Sequence, residues 1–495
     1  MTNQDAALVH SLKEKYVNSD NKACFYDREK VLHRIAKMHY LKKPGYAGIL
    51  AEMLREASTP IEDEDVFAGR MVEAVPEPRW RVPNVDVIAN PGHLHFHWEE
   101  ILKLGVGGIL EKIQRRATEL GDSKSRAFAK NARIQVEAVD AFVRRYARAA
   151  AEKAARSEGE AKARFARMAR ALEVVPMRPA YDLFSALQGI WILHMIASCY
   201  AGARDYGFGR IDQYLLPYYE KDLAAGVYTE EEADTLLAFF LMKSNEICGL
   251  GSYNHKVKPI PSVASKQYLT LGGSDVQGVS QANALSFAFL RAEEIANMPE
   301  PVVVTRFDPK ADPAFAAQVY RTMSVVTDKM HAYNDRLIYN ALKGRGLPDE
   351  LAADFTFSGC CNCETHYHTI RNEWYFPTPE WLCEVLGVIG EGPAQAYQSV
   401  HEIIQALKNA ARRHMEDQLD TEVVNASTWR ILDQRGHTFD AMFVGKCAER
   451  CRYPLDGGVD FYLIDVYFTG AATVIDSLSA IDRLVFRERR YTLEE

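Results

Sequence analysis

Two short runs, Tyr268-Leu269-Thr270-Leu271-Gly272-Gly273 and Val302-Val303-Val304-Thr305-Arg306, read as β-strands, the first closing on a glycine turn. Between them Ala282, Leu285, Phe289 and Ile295 recur at helical spacing. Strand, helix, strand in this order marks a parallel sheet with crossover helices, so the chain is expected to be an α/β protein. Its 495 residues are enough for one large domain or two to three ordinary ones.

The rest of the chain supplies the helices. In residues 1–60, Leu12, Tyr16, Val31, Ile35 and Met38 fall at helical spacing among Lys and Glu. Prolines 76, 78, 83 and 91 then predict an extended loop over 71–92. A helix follows from Glu99 to about Leu120, and 124–175 reads as a solvated helical hairpin with interleaved Arg and Glu. Tyr181 to Tyr200 is apolar enough for a buried helix, and further helices are expected over 230–248, 313–327, 380–415, 421–435 and from Ala471 onward. Val459–Val466 alternates like a strand. No internal repeat or flexible linker interrupts the pattern.

Composition narrows the class. Hydrophobic content of 47% with 25% charged residues is globular, and a net charge of −8 argues against a nucleic-acid binder. No apolar run reads as long enough to span a bilayer, and the N-terminus lacks a signal-peptide pattern. Nine cysteines without framework spacing suit a reducing cytoplasm.

Three of those cysteines crowd into Ser358-Gly359-Cys360-Cys361-Asn362-Cys363-Glu364-Thr365-His366-Tyr367-His368. Buried thiols in a turn are one reading. A metal site from Cys361, Cys363, His366 and His368 is another, although the spacing is not that of a zinc motif and no second Cys-x-x-Cys occurs. The third is reactive sulfur on a short turn, with Gly359 letting backbone approach a substrate. Elsewhere, His93, His95 and His97 alternate and, if extended, share one face. Those histidines suit a metal site, a polar lining at a pocket edge or a solvated loop, and Arg210 and Asp212, two apart beside aromatic residues, suit a buried ion pair.

Arg210-Ile211-Asp212-Gln213-Tyr214-Leu215 with Pro217-Tyr218-Tyr219, Leu269-Thr270-Leu271-Gly272-Gly273, Tyr333-Asn334-Asp335 ahead of Ser358-Gly359-Cys360, and Asp476-Ser477-Leu478-Ser479-Ala480-Ile481 together resemble the glycyl radical enzymes of the pyruvate formate-lyase superfamily. The resemblance implies a ten-stranded α/β barrel with a helical N-terminal layer and a cysteine loop at its centre. It implies one domain over 1–495, residues 1–200 mostly helical and 201–495 carrying the remaining barrel. It also implies that a stored glycyl radical converts the loop cysteine to a thiyl radical, which takes hydrogen from a substrate carbon.

On that resemblance Cys360 is the expected thiyl site, with Cys361 second. Many members place a basic Glu two positions after the cysteine; here Asn362 stands there, and an amide takes no proton at pH 7. The base is then expected from Glu364, His366 or His368. Asn362, His366, His368, Arg210, Asp212, His95 and His97 are expected to bind substrate, with no resident metal. The family's C-terminal Arg-Val-x-Gly-Tyr-like motif is missing, and no glycine follows Gly470. Either the sequence is truncated or the glycine lies on a separate polypeptide, and the leading expectation is a large subunit without its glycyl domain. Its radical would be supplied in trans by a small glycyl subunit and installed by a radical-SAM activase carrying a 4Fe–4S cluster, with room for a dimer of heterodimers. Cleavage of a C–C, C–O, C–N or C–S bond of a small polar substrate is the leading reading. Radical addition to fumarate and a non-catalytic scaffold stay open.

Overall fold

The computed structural model describes residues 2–17, 46–70, 93–201, 206–247, 267–308, 310–326, 329–359, 362–389, 396–433 and 438–495. Two compact units result, one from Met1–Ile370 with Leu432–Phe461 and one from Arg371–Ile431 with Tyr462–Glu495. The loop expected over 71–92 lies wholly outside the described residues.

The first unit begins with α1 (Asn3–Val17), α2 (Tyr46–Glu56), α3 (Trp98–Leu120), α4 (Ser123–Ala155), α5 (Gly159–Leu172) and α6 (Leu183–Met195). Their ends follow ordinary capping chemistry. The Asp122 side chain accepts from the Ser125 amide to start α4, and Asp182 with Ser185 forms a capping box on α6. The stripe Val136, Val139, Phe142, Tyr146 of α4 and Phe165, Met168, Leu172 of α5 is buried, as the spacing requires. Contrary to the sequence reading, one stretch, Leu183–Tyr200, is long and apolar enough to cross a membrane; all of it is buried inside the protein, as a core helix.

Helix α3 is broken at Gly105, whose φ of 71° and ψ of 162° are not helical. The amides freed by the break are taken from outside: Val106 donates to the Pro176 carbonyl at 2.8 Å and Gly107 to that of Met177 at 3.0 Å. A Cβ at position 105 would overlap the Met177 carbonyl, so only glycine lets the strap 176–178 lie this close.

The sheet follows: β1 (Gly207–Gly209), then α7 (Glu230–Lys243), β2 (Tyr268–Gly272), α8 (Ala284–Ala296), β3 (Val302–Phe307), α9 (Pro313–Val325), β4 (Met330–Asn334) and α10 (Asp335–Gly344). The strands lie in the order β1-β2-β3-β4, all parallel, with Tyr268 opposite Val302 and Val303 opposite Met330. His95 bridges Gly207 in the parallel sense and extends the sheet by one position beyond β1. Strand–helix–strand was legible for β2, α8 and β3; β4, Met-His-Ala-Tyr-Asn, mixes polar and apolar residues as an edge strand does and gave no clear alternation. A hairpin of β5 (Thr356–Ser358) and β6 (Asn362–Glu364) completes the unit.

The second unit holds β7 (Thr369–Pro377, entering from the first), α11 (Thr378–Val385), α12 (Val400–Asp433), β8 (Phe461–Thr469) and α13 (Ala471–Ile481). β7 pairs β8, and Trp374, Phe376 and Trp381 pack with Leu407, Met415, Ile464 and Val466 beneath them. The described residues therefore contribute four strands and one bridging residue to the parallel sheet, short of the ten strands expected.

Replacing Gly105 with Ala should lower the free energy of unfolding by about 2 kcal/mol or more, the cost of forcing a side chain into this backbone region against a fixed carbonyl. Urea denaturation followed by far-UV circular dichroism measures it, and an unchanged midpoint would show that the strap yields.

Candidate active site

The cysteine stretch folds as a hairpin. Thr356 lies opposite Glu364, Phe357 opposite Cys363 and Ser358 opposite Asn362, with residues 359–361 between the two strands in the sequence. Gly359 holds φ at 61°, a left-handed conformation suited to glycine, and a Cβ there would overlap the His93 ring. Cys360 and Cys361 lie outside the described residues. Alternation puts Thr356, Ser358, Asn362 and Glu364 on one face and Phe357 with Cys363 on the other. Cys363 thus stands apart from Glu364. Among the described residues no group of three or more His, Cys, Asp or Glu side chains is placed to hold a metal.

Groups on and beside the parallel sheet reach this hairpin or the residues just ahead of it. Beside β1, the His95 ring sends Nε2 to the Phe357 carbonyl at 3.0 Å, while its Nδ1 lies 2.7 Å from Glu364 Oε1. From β2, Thr270 Oγ1 meets Thr356 Oγ1 at 2.7 Å. From β3, Arg306 donates to the Ala353 carbonyl at 2.8 Å and to that of Phe355, just ahead of β5. From β4, the Tyr333 ring stacks on Phe357 with centroids 4.0 Å apart.

A second imidazole sits next to the first. His366, at a φ of 40°, lies with its ring centroid 6.0 Å from that of His95. Its Nδ1 donates to Asp354 Oδ2 at 3.4 Å, and the other Asp354 oxygen accepts from Arg210 at 2.9 Å. Burial works to raise the Asp354 pKa, but the His366 hydrogen bond and the Arg210 guanidinium outweigh it and hold the carboxyl below the usual range. Burial lowers the His366 pKa against the pull of Asp354, so the ring is neutral at pH 7. With the proton on Nδ1, the lone pair is on Nε2, a buried atom with no hydrogen-bond partner among the described residues. Such an arrangement suits a base.

Two glycines admit these rings. A Cβ on Gly207 would overlap His95 Nε2, and one on Gly209 would overlap His366 Nε2. Phe208 between them points to the core, 4.4 Å from the His194 ring.

The other expected residues are placed as follows. Arg210, besides Asp354, donates to the Gly272 carbonyl at 3.1 Å. Asp212 does not pair with it but accepts from the Gly272 amide at 2.7 Å and from Ser286 Oγ, fixing the glycine turn that ends β2. His93, His95 and His97 do not share a face. His93 has a φ of 53° and packs toward Gly359, His95 is enclosed, and His97 stacks on Tyr367 at 3.7 Å. His368 flanks the same tyrosine at 4.1 Å, and burial brings its pKa down to about 4. Asn362 is buried on the Glu364 face. Sequence reading missed Asp354, Thr270 with Thr356, and the Gly-Phe-Gly run. Only the last left a signal, glycine at two alternate positions of a strand.

Near the entrance of α3, Glu100 Oε2 lies 3.6 Å from His97 Nδ1 and Oε1 lies 2.6 Å from Lys112. The His97 contact, opposed by burial and joined by Lys112, lowers the Glu100 pKa to about 2. A depressed carboxyl stabilises the fold above its unfolded pKa and loses that contribution as pH falls through the folded value. The melting temperature of the wild-type protein relative to Glu100→Gln should therefore be highest above about pH 4.5 and should converge with it between pH 4.5 and about 2. A difference independent of pH would remove the charge from the account.

The sequence pattern of the pyruvate formate lyase-like family matches residues 84–495. Isethionate sulfite-lyase of Bilophila wadsworthia is 24% identical over 431 residues, covering 80% of this chain and 51% of that protein. The (2S)-3-sulfopropanediol dehydratase of Klebsiella oxytoca is 24% identical over 437 residues, covering 82% of this chain and 51% of its own length. The chain thus spans about half the length of these relatives. Among solved structures, the B12-independent glycerol dehydratase from Clostridium butyricum superposes with a TM-score of 0.83 at 20% identity, over 99% of this chain and 72% of that one. A glycyl radical enzyme from Archaeoglobus fulgidus gives 0.81 at 18%, over 97% and 72%. The α/β barrel of the glycyl radical enzymes is the fold, and the chain belongs to the pyruvate formate lyase-like family.

Proposed function

We propose that this chain is the catalytic large subunit of a two-component glycyl radical lyase that cleaves a C–X bond of a small polar substrate. The observation that carries the reading is the hairpin: two short strands on either side of Gly359-Cys360-Cys361 in the sequence, tied to the parallel sheet, with Glu364 and two imidazoles behind it. The named relatives, a sulfite-lyase and a dehydratase, support bond cleavage over addition.

A glycyl radical on a small partner subunit, installed by a radical-SAM activase, would supply the unpaired electron. In the proposed cycle the Cys360 thiyl takes a hydrogen atom from a substrate carbon and becomes a thiol. The neighbouring C–X bond breaks, and the leaving group departs with a proton. The product radical then recovers a hydrogen atom from Cys360, restoring the thiyl. Cys361 is the adjacent thiol for relay. Asn362 cannot exchange protons, so proton transfer falls to His366 oriented by Asp354, with Glu364 held behind the hairpin beside His95. His97 and His368, both partly exposed, are proposed as substrate contacts. Arg210 and Asp212 are proposed to act through the groups they hold, since each already binds protein atoms at the end of β2.

The test is electron paramagnetic resonance and turnover after anaerobic activation, with and without a candidate small glycyl subunit. We expect a glycyl doublet and turnover only with the partner present. In Cys360→Ala the doublet should persist while turnover is abolished. A glycyl doublet or turnover from this chain alone refutes the two-component reading, and full turnover in Cys360→Ala refutes the thiyl assignment.

A further inference from the structure

His95 and Glu364 are both wholly enclosed, with 0% of either side chain exposed. That is an unusual place for two polar groups meant to meet a substrate, and their geometry points to another use. The Phe357 carbonyl can only accept, so the His95 nitrogen facing it, Nε2, carries a hydrogen. The opposite nitrogen, Nδ1, lies 2.7 Å from Glu364 Oε1, so a single ring meets both groups inside the enclosed space.

The two atoms that His95 engages belong to different strands, Phe357 to β5 and Glu364 to β6, and they flank the Gly359–Cys361 turn. The ring itself is carried by the residue that bridges Gly207 at the edge of the sheet. It occupies space available only because residue 207 has no Cβ.

We propose that His95 is a positioning residue for the β5–β6 hairpin: it fastens both strands to the sheet, meeting the Phe357 carbonyl on one side and Glu364 on the other. It acts on the substrate only through the hairpin. The inference rests on the proposed radical lyase for its catalytic meaning, but its structural content does not.

Hydrogen exchange read by mass spectrometry on peptides spanning 356–364 tests that content in the isolated chain, with no radical required. His95→Ala should speed exchange there by about tenfold, the scale of one buried hydrogen bond. Gly207→Ala changes no polar group but evicts the ring, and should do the same. His95→Gln keeps a donor that can reach the Phe357 carbonyl and should recover part of the protection. Exchange within twofold of wild type in both His95→Ala and Gly207→Ala overturns the proposal, and so does a His95→Gln variant no better protected than His95→Ala. Should His95→Ala fail to fold, Gly207→Ala and His95→Gln decide alone. In the reconstituted two-component enzyme, His95→Ala should keep the glycyl doublet and lose about a hundredfold in kcat, with KM little changed, as misplaced reacting groups do. A raised KM at unchanged kcat would instead make His95 a substrate ligand. If no partner supports turnover, the proposed function falls while the exchange result still stands by itself.

Discussion

The Arg306 guanidinium has no contact with solvent, and much of the hairpin's placement depends on it. Burial, with help from the nearby Arg210 charge and against the pull of Asp335, brings its pKa down to about 10, which still leaves it ionised at neutral pH. An enclosed cation must be matched on every side. Asp335 supplies the counter-charge at 2.7 Å, the carbonyls of Ala353 and Phe355 take two further donors, and the Phe355 ring lies 3.4 Å from the guanidinium carbon. Those partners come from the start of α10 and from the approach to β5. The group that ends β3 therefore dictates where the chain enters the hairpin, and no small displacement is cheap.

Close approach does the rest. Gly207, Gly209 and Gly359 each present bare backbone to an imidazole, those of His95, His366 and His93. Removing a Cβ at three places draws three titratable rings around one short strand and one turn. Arg210 and Asp354 then orient His366, and Asp212 secures the Gly272 turn from which Arg210 takes a carbonyl. The site is a web of such pairings, and His366 Nε2 is among the buried polar atoms it leaves without a hydrogen-bond partner among the described residues.

What could be read from the sequence follows from the range of the interactions. β2, α8 and β3 were legible because β-branched runs and helical spacing are local, and so were the capped helices over 99–200. The crowded cysteines marked the hairpin, and the spaced anchors pointed to the family. Pairings across long separations left no local trace. Arg210 meets Asp354 rather than Asp212, and His95 meets residues some 260 positions away. The three alternating histidines looked like one face because alternation assumes an extended backbone, and the positive φ at His93 breaks that assumption.

The hairpin's alternation carries one more consequence. Cys363 faces one side with Phe357 while Asn362 and Glu364 face the other. Because side chains in a strand repeat every two residues, a one-residue change in the length of the Gly359–Cys361 turn would reverse β6, presenting a thiol where a carboxyl now lies and removing Glu364 from His95. Chain length between the two strands is thus as strict a variable as residue identity: a substitution alters one position, whereas a single insertion would rewrite the chemistry of the whole face at once.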